Sequence, residues 1–426
     1  MDITQAINAA LPSRGRDIVN RSGALAEANG LRLYLVGGTV RDILLGRKNL
    51  DLDLLVEGGA GDFAGLLAEA LDGSVVLHDR FGTSVIILSD GMRVDVATAR
   101  AETYDFGGAL PAVSFTTIGR DLKRRDFTIN AIAASLMPED TGRLIDPYGG
   151  IDDLKKKRLR VLHDKSFLDD PTRIFRAARF EQRLSFKMSH DTEKLLAEAA
   201  RSGCLDTVSG SRIRKEVFAV MEEDEAAAAA ARLASFGVWE ALAPGLRVST
   251  ATVKGMRDIK KAEGALLHKL KAPYDRRYAM LNVIAAGAPS ESVKALCVRL
   301  GLNRKRAAEA ASLAQKSGDV LRFLRRHPRT GVLWERLRSR SNETLLALYA
   351  LGGDSVRSAI VRFTLISGIR PLITGRDLTK MNYPPGAGYS EVLDSVYKRQ
   401  LDGELKVKEQ ALTAAMKLFR EKGYGR

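Results

Sequence analysis

Two aspartates one residue apart, Asp51 and Asp53, stand in the run LDLDLLV, Leu50 to Val56. In a strand their side chains emerge on one face with backbone positions roughly 7 Å apart, while Leu50, Leu52 and Leu54 take the other face. Carboxylates so placed repel each other, and a hard cation such as Mg²⁺, held by carboxylate and phosphate oxygens, relieves the repulsion. That arrangement polarises an attacking hydroxyl and neutralises a departing pyrophosphate, as nucleotidyl transfer requires. The alternative is an exposed acidic edge with no ligand. Asp95, in RVDVA, is either a third carboxylate or a partner of Arg93 or Arg100.

Upstream, Gly37 and Gly38 close LRLYLVGG, where a helix is expected to begin with Thr39 as its cap. Backbone amides at such a turn approach a triphosphate closely, and Arg41, about one turn in, reaches the same phosphates.

The elements that must position these residues are short β-branched runs separated by breakers: Leu31 to Gly38, Leu50 to Val56, Ser74 to Asp79, Thr83 to Asp90 and Met92 to Ala99. Helical patterns are expected at Val40 to Leu45 and Asp62 to Leu71. From Arg158 onward strand signals fade, and helical periodicity dominates through Thr172 to Arg183, Asp191 to Arg201, Arg212 to Phe236 and most of the remaining chain. The expected class is an α+β N-terminal domain with a small mixed sheet, followed by an all-α remainder. The divisions fall at 1–145 (head), 146–225 (helical neck) and 226–426 (helical body and tail). The alanine run Ala226 to Ala231, behind the acidic cluster Glu222 to Glu225, reads as a solvated helix.

The chain has 426 residues and is 45% hydrophobic, enough for several cored domains and too apolar for a disordered chain. No apolar run is long enough to span a membrane, and the N-terminal residues lack the apolar stretch of a secretory signal. Cys204 and Cys297 have no metal-type spacing and fit a reducing compartment, so a cytoplasmic location is expected. A formal charge of +15 attracts polyanions. Part of it lies in NRKR (Asn303 to Arg306) and RFLRRHPR (Arg322 to Arg329), each either a solvated helix face or an RNA contact.

Five motifs extend the pattern: GGTVRD, LDLD, KRRDFTINAIA (Lys123 to Ala133), DPYGGIDDLKKKRLR (Asp146 to Arg160) and DDPTRIFRAARF (Asp169 to Phe180). In order and spacing the chain resembles the class II tRNA nucleotidyltransferase and bacterial poly(A) polymerase family, which includes the CCA-adding enzymes. The likeness covers about residues 30 to 220 and continues weakly into PLITGRDLTKMNYPPG and LDGELK. It implies Asp51 and Asp53 as magnesium ligands, and Gly38, Arg41 and Arg125 as nucleotide contacts. It also sets Asp170 and Arg173 against the Watson–Crick edge of the incoming base, with Arg176 and Arg179 contacting the nucleotide. Residues three apart share a helix face, a carboxylate accepts from an exocyclic amine, and a guanidinium donates to ring acceptors. Cytosine and adenine share that amine-plus-acceptor edge, so the protein itself serves as template.

The chain departs from the family at Asp169, where glutamate is usual, and at Ser211 in SGSRIRKEV (Ser209 to Val217), a helical motif read as structural. Ala99 to Thr117 reads as a mobile loop; in relatives the corresponding loop takes part in nucleotide choice. The C-terminal half has no adjacent His-Asp pair, so the phosphohydrolase module fused to some relatives is not expected. The resemblance implies an enzyme that extends a tRNA 3′ end with CTP, ATP or both, adding CCA, CC or A, with no membrane association and no obligate protein partner. The alternative is a poly(A) polymerase acting on general RNA. HDRFGT (His78 to Thr83) looks more like the tRNA-directed enzymes.

Overall fold

The computed structural model describes residues 2–47, 52–78, 82–103, 107–109, 111–270, 272–383, 386 and 388–422. The chain divides into two compact units, residues 1–216 with 236–241, and residues 217–235 with 242–426.

The first unit is built on a seven-stranded mixed sheet. Its strands are β1 (Arg32–Val36), β2 (Leu52–Glu57), β3 (Gly73–His78), β4 (Thr83–Leu88), β5 (Arg93–Thr98), β8 (Ala133–Ser135) and β9 (Leu144–Ile145), in the order β3-β4-β5-β2-β1-β8-β9. Only β2 and β5 run parallel; the other neighbours are antiparallel. The alternation read from the sequence sets the faces of β2: Leu52 and Leu54 are buried and Asp53 is half-buried. Leu33, Leu35, Phe63 and Leu67 are fully buried and join the core. The expected α+β class with a helical remainder is the fold observed.

Of the stretch Ala99 to Thr117, expected as a mobile loop, residues 104–106 and 110 lie outside the described residues, and residues on either side of them form a second sheet. β6 (Arg100–Thr103) and β7 (Ala112–Phe115) pair antiparallel, with Arg100 opposite Phe115 and Thr103 opposite Ala112. The glycines near the tip pack closely: an added Cβ would lie 2.6 Å from the Leu168 carbonyl oxygen at Gly107 and 2.2 Å from Thr207 Oγ1 at Gly108, whose φ is +81°. Composition marks the breakers here but not the docking that orders them.

The second unit is helical. The continuous helix expected over Arg212 to Phe236 is two helices, Gly210–Glu222 and Ala226–Ser235, broken at the acidic cluster. Acidic side chains favour the N-terminal end of a helix, where the dipole is positive, so Glu223 to Glu225 start the second helix better than they continue the first. The alanine helix is not solvated, for Ala226, Ala227, Ala229 and Ala230 are buried. The small side chains permit close packing against the helix Thr250–Leu266. A separate cluster of Ile373, Leu378, Val392, Val396, Ala411 and Phe419 holds the C-terminal helices together. Among the described residues, no helix is long and apolar enough to cross a membrane.

Candidate active site

Gly37 follows β1 at φ +66° and caps the helix Gly38–Leu44 without a side-chain hydrogen bond. A Cβ there would lie 2.7 Å from Arg125 Nη1, so both the backbone angle and the overlying guanidinium demand glycine. Because this left-handed turn starts the helix early, Thr39 is not the cap expected of it. It is buried in the first turn, and its hydroxyl donates to Asp53 Oδ2 at 3.3 Å.

Asp53 stands in register with Asp95 across the parallel β2–β5 pair, so both carboxylates leave the same face of the sheet. Asp95 is also 3.3 Å from Arg93 Nη2, while Arg100 pairs with Glu102 instead. Asp51 lies outside the described residues. Two in-register aspartates offer only oxygen donors, which suits a hard divalent cation. Among the described residues no three His, Cys, Asp or Glu side chains converge on one metal position.

Beside Gly37 and Gly38 opens a cavity of about 520 Å³. Seven arginines line it (Arg41, Arg100, Arg124, Arg125, Arg173, Arg176 and Arg183) against three carboxylates, Glu102, Asp126 and Asp170. The excess positive charge suits a polyphosphate. Carboxylates lock several of the guanidiniums in place. Asp121 accepts from Arg124 Nη2 at 2.7 Å and Arg125 Nη2 at 2.9 Å, and Glu102 accepts from Arg100 Nη2 at 2.9 Å and Arg124 Nη1 at 3.0 Å. Arg176 Nε donates to Asp126 Oδ2 at 2.8 Å, and Asn130 links Asp126 to Arg41 through bonds of 2.9 and 2.7 Å. Burial would raise the Asp126 carboxyl, but the Arg176 guanidinium and the Asn130 amide outweigh it and hold it at about 2. Burial likewise opposes ionisation of Asp121, and Arg125 and Arg124 override it to lower its pKa.

At the other side of the cavity the helix Arg173–Leu184 begins. Asp170 Oδ1 accepts from Thr172 N at 3.1 Å, Thr172 Oγ1 at 2.6 Å and Arg212 Nη2 at 2.9 Å. Oδ2 has no protein partner among the described residues. Arg173 is buried, with Nη1 donating to Ser166 Oγ at 2.7 Å and Nη2 to the Arg124 carbonyl at 2.6 Å.

The structure thus brings Gly38, Arg41, Arg125, Asp170, Arg173 and Arg176 to one cavity. Arg179 does not line it; its guanidinium pairs with Glu216 at 3.4 Å, and burial raises the Glu216 pKa. At 3.6 residues per turn a series taken every third residue drifts off the face, and Arg179 is where it leaves. Phe180 and Arg183, seven and ten residues after Arg173, return to that face and line the cavity. Stepping by 3.6 from Arg176 reaches both in the sequence. Phe180 gathers guanidiniums, with Arg41, Arg176, Arg179 and Arg183 within 5.3 to 5.8 Å of its ring centre. Arg124, Asp126 and Asn130 lie within the RRDFTIN motif, where residue type alone assigns them no role. Arg100 and Glu102 carry no sequence signal beyond alternation.

A model of the poly(A) polymerase head domain matches residues 33–160. The A-adding tRNA nucleotidyltransferase of Geobacter sulfurreducens is 34% identical over 98% of this chain, which spans 48% of that relative's length. The A-adding tRNA nucleotidyltransferase of Halalkalibacterium halodurans is 31% identical over 99% of this chain and 96% of its own. A solved CCA-adding enzyme in complex with ATP has a TM-score of 0.88 at 32% identity, covering 98% of this chain and 99% of its own.

Proposed function

We infer the reaction from the family to which this chain belongs, that of the tRNA nucleotidyltransferases and poly(A) polymerases: CTP, ATP or both are added to a tRNA 3′ end with release of pyrophosphate. The observation that carries this reading is the arginine-lined cavity, with a triphosphate-binding turn at Gly37–Gly38 on one side and Asp170 and Arg173 on the other. Arg41, Arg125 and Arg176 hold the phosphates. Asp170 accepts from the exocyclic amine of cytosine or adenine, and Arg173 donates to the ring acceptors. Uracil and guanine present a carbonyl where Asp170 needs a donor and are rejected.

The 3′ hydroxyl attacks the α-phosphate in line, and the carboxylate-locked arginines bind the departing pyrophosphate without reorganising. Asp51 and Asp53, with Asp95 alongside, are the residues to hold Mg²⁺. Bound there, the ion neutralises phosphate charge and makes the hydroxyl a better nucleophile. Arg179 acts at one remove, through Phe180. Residues 1–145 are the catalytic head, 146–225 the base-selecting neck, and 226–426 the tRNA-binding body and tail. Two free cysteines support a reducing, cytoplasmic setting.

The relatives named above divide between A addition and CCA addition, and one assay assigns this chain. tRNAs ending in the discriminator base, C or CC are incubated with CTP and ATP, separately and together, and their ends sequenced. Arrest after at most three additions is the expected result. Run-on extension of unstructured RNA with ATP alone indicates the poly(A) polymerase alternative, and no incorporation on any end refutes both.

A further inference from the structure

Arg212 lies in SGSRIRKEV, on the helix Gly210–Glu222, and has no place in the reaction described above. Its guanidinium nevertheless spans two parts of the site. Nη2 donates to Asp170 Oδ1 at 2.9 Å and Nη1 to the Gly108 carbonyl at 2.7 Å. Gly108 in turn donates its amide to the Asp169 carbonyl at 3.1 Å. Three segments distant in sequence are therefore tied by one planar group: the tip of the β6–β7 hairpin, the turn before the helix Arg173–Leu184, and the helix of Arg212.

A carboxylate on a short side chain turns about its Cβ–Cγ bond unless its oxygens are distinguished. Thr172 and Arg212 together place all three protein bonds on Oδ1, so Oδ2 is the oxygen left to meet a ligand. Thr172 is Asp170's near neighbour and moves with it, whereas Arg212 is anchored on another helix. A guanidinium fork satisfies two acceptors in a fixed plane, which an ammonium cannot do.

We propose that Arg212 is a positioning residue that sets base selectivity, by fixing the Asp170 carboxylate against the hairpin carbonyl of Gly108 so that Oδ2 faces the incoming base. This rests on the base-reading role assigned to Asp170, and the test separates the two. kcat/KM is measured for the four triphosphates on one tRNA end with wild type, Arg212→Gln, Arg212→Lys, Asp170→Ala and the Asp170→Ala/Arg212→Gln double variant.

Arg212→Gln is expected to narrow the preferred-to-disfavoured ratio by about five- to tenfold, with Arg212→Lys between it and wild type. The double variant should discriminate no worse than Asp170→Ala alone, because Arg212 acts through that carboxylate. A merely structural role lowers all four rates together and leaves the ratios intact. Unchanged ratios in Arg212→Gln beside narrowed ratios in Asp170→Ala overturn the proposal and leave the base reading standing. Unchanged ratios in both overturn the base reading and the proposal with it. If Arg212→Gln loses the wild-type circular dichroism spectrum, Arg212→Lys decides alone: a narrowed ratio supports the proposal and a wild-type ratio overturns it.

Discussion

The guanidinium of Arg173 donates to the main-chain carbonyl of Arg124 at 2.6 Å. The side chain proposed above to read the base is thereby hung on the backbone of a residue whose own guanidinium is locked by Asp121 and Glu102. Hydrogen bonds thus connect Arg173 with the arginines held by Asp121 and Glu102 across the cavity.

Asp51→Ala and Asp53→Ala should each abolish incorporation while leaving the fold and tRNA binding intact, since a cation held there acts chiefly on the transition state. Removing one preorganised electrostatic interaction costs about 2.7–4 kcal/mol, and these variants should lose at least that. Single-turnover assays beside tRNA filter binding give the measurement. Near wild-type turnover in both variants ends the metal-ligand assignment.

Asp170→Ala should raise UTP and GTP use relative to the preferred nucleotide, because a matched bidentate pairing discriminates by ~1–3 kcal/mol, or about five- to 150-fold. kcat/KM for the four triphosphates on one tRNA end is the readout. If all four fall in proportion, Asp170 supports the helix and does not read the base.

Gly37→Ala places a methyl group against Arg125 and forces an L residue into a left-handed turn. The conformational cost alone is about 1–2 kcal/mol. Thermal unfolding should show a lowered Tm, and equilibrium binding of ATP or CTP should weaken as Arg125 is displaced. A variant with wild-type Tm and affinity contradicts the close approach.

Asp126 ionises at about 2 in the fold against 3.8 ordinarily. A depressed carboxylate stabilises the native state above its unfolded pKa, and that contribution is lost as pH falls through the folded value. Wild type should therefore lose about 2 kcal/mol between pH 4 and 2 on this account. Asp126→Asn should flatten the pH dependence of urea unfolding in that window, and an equally steep dependence would falsify the assignment.

The late basic clusters divide in the structure. Arg306 is committed internally, pairing with Glu343 at 2.8 Å and lying over the Tyr278 ring, whereas Arg304, Lys305, Arg325 and Arg326 are exposed. Changing those four to Gln should weaken tRNA binding and flatten its salt dependence, by up to about 0.9 in slope for each phosphate no longer neutralised. Arg306→Gln should instead lower stability. Titrations at several salt concentrations check both, and an unchanged slope in the fourfold variant places the tRNA elsewhere.

Local pattern alone determined a good deal of this protein. Alternation matched burial over Leu52 to Leu54, though Leu55 and Val56 are buried as well in this central strand, and five apolar runs became β1 to β5 within a residue or two. Helical periodicity after Arg158 showed where the sheet ends; the family resemblance, not local pattern, implied Arg125, Asp170, Arg173 and Arg176, which do share one cavity with Arg41.

What depends on contacts between distant segments was decided only by the tertiary structure. Gly107 and Gly108 read as loop residues because nothing near them in sequence reveals the Leu168 carbonyl and Thr207 hydroxyl that demand glycine. Thr39 has a cap's composition but serves Asp53, since the turn at Gly37 takes the helix start from it. The alanine run has the propensity of a solvated helix and the burial of a packed one, because propensity is a property of the segment and burial of its neighbours. Periodicity separates the faces of Arg179 and Arg183 on their helix, but that Arg179 meets Glu216 depends on a helix distant in sequence.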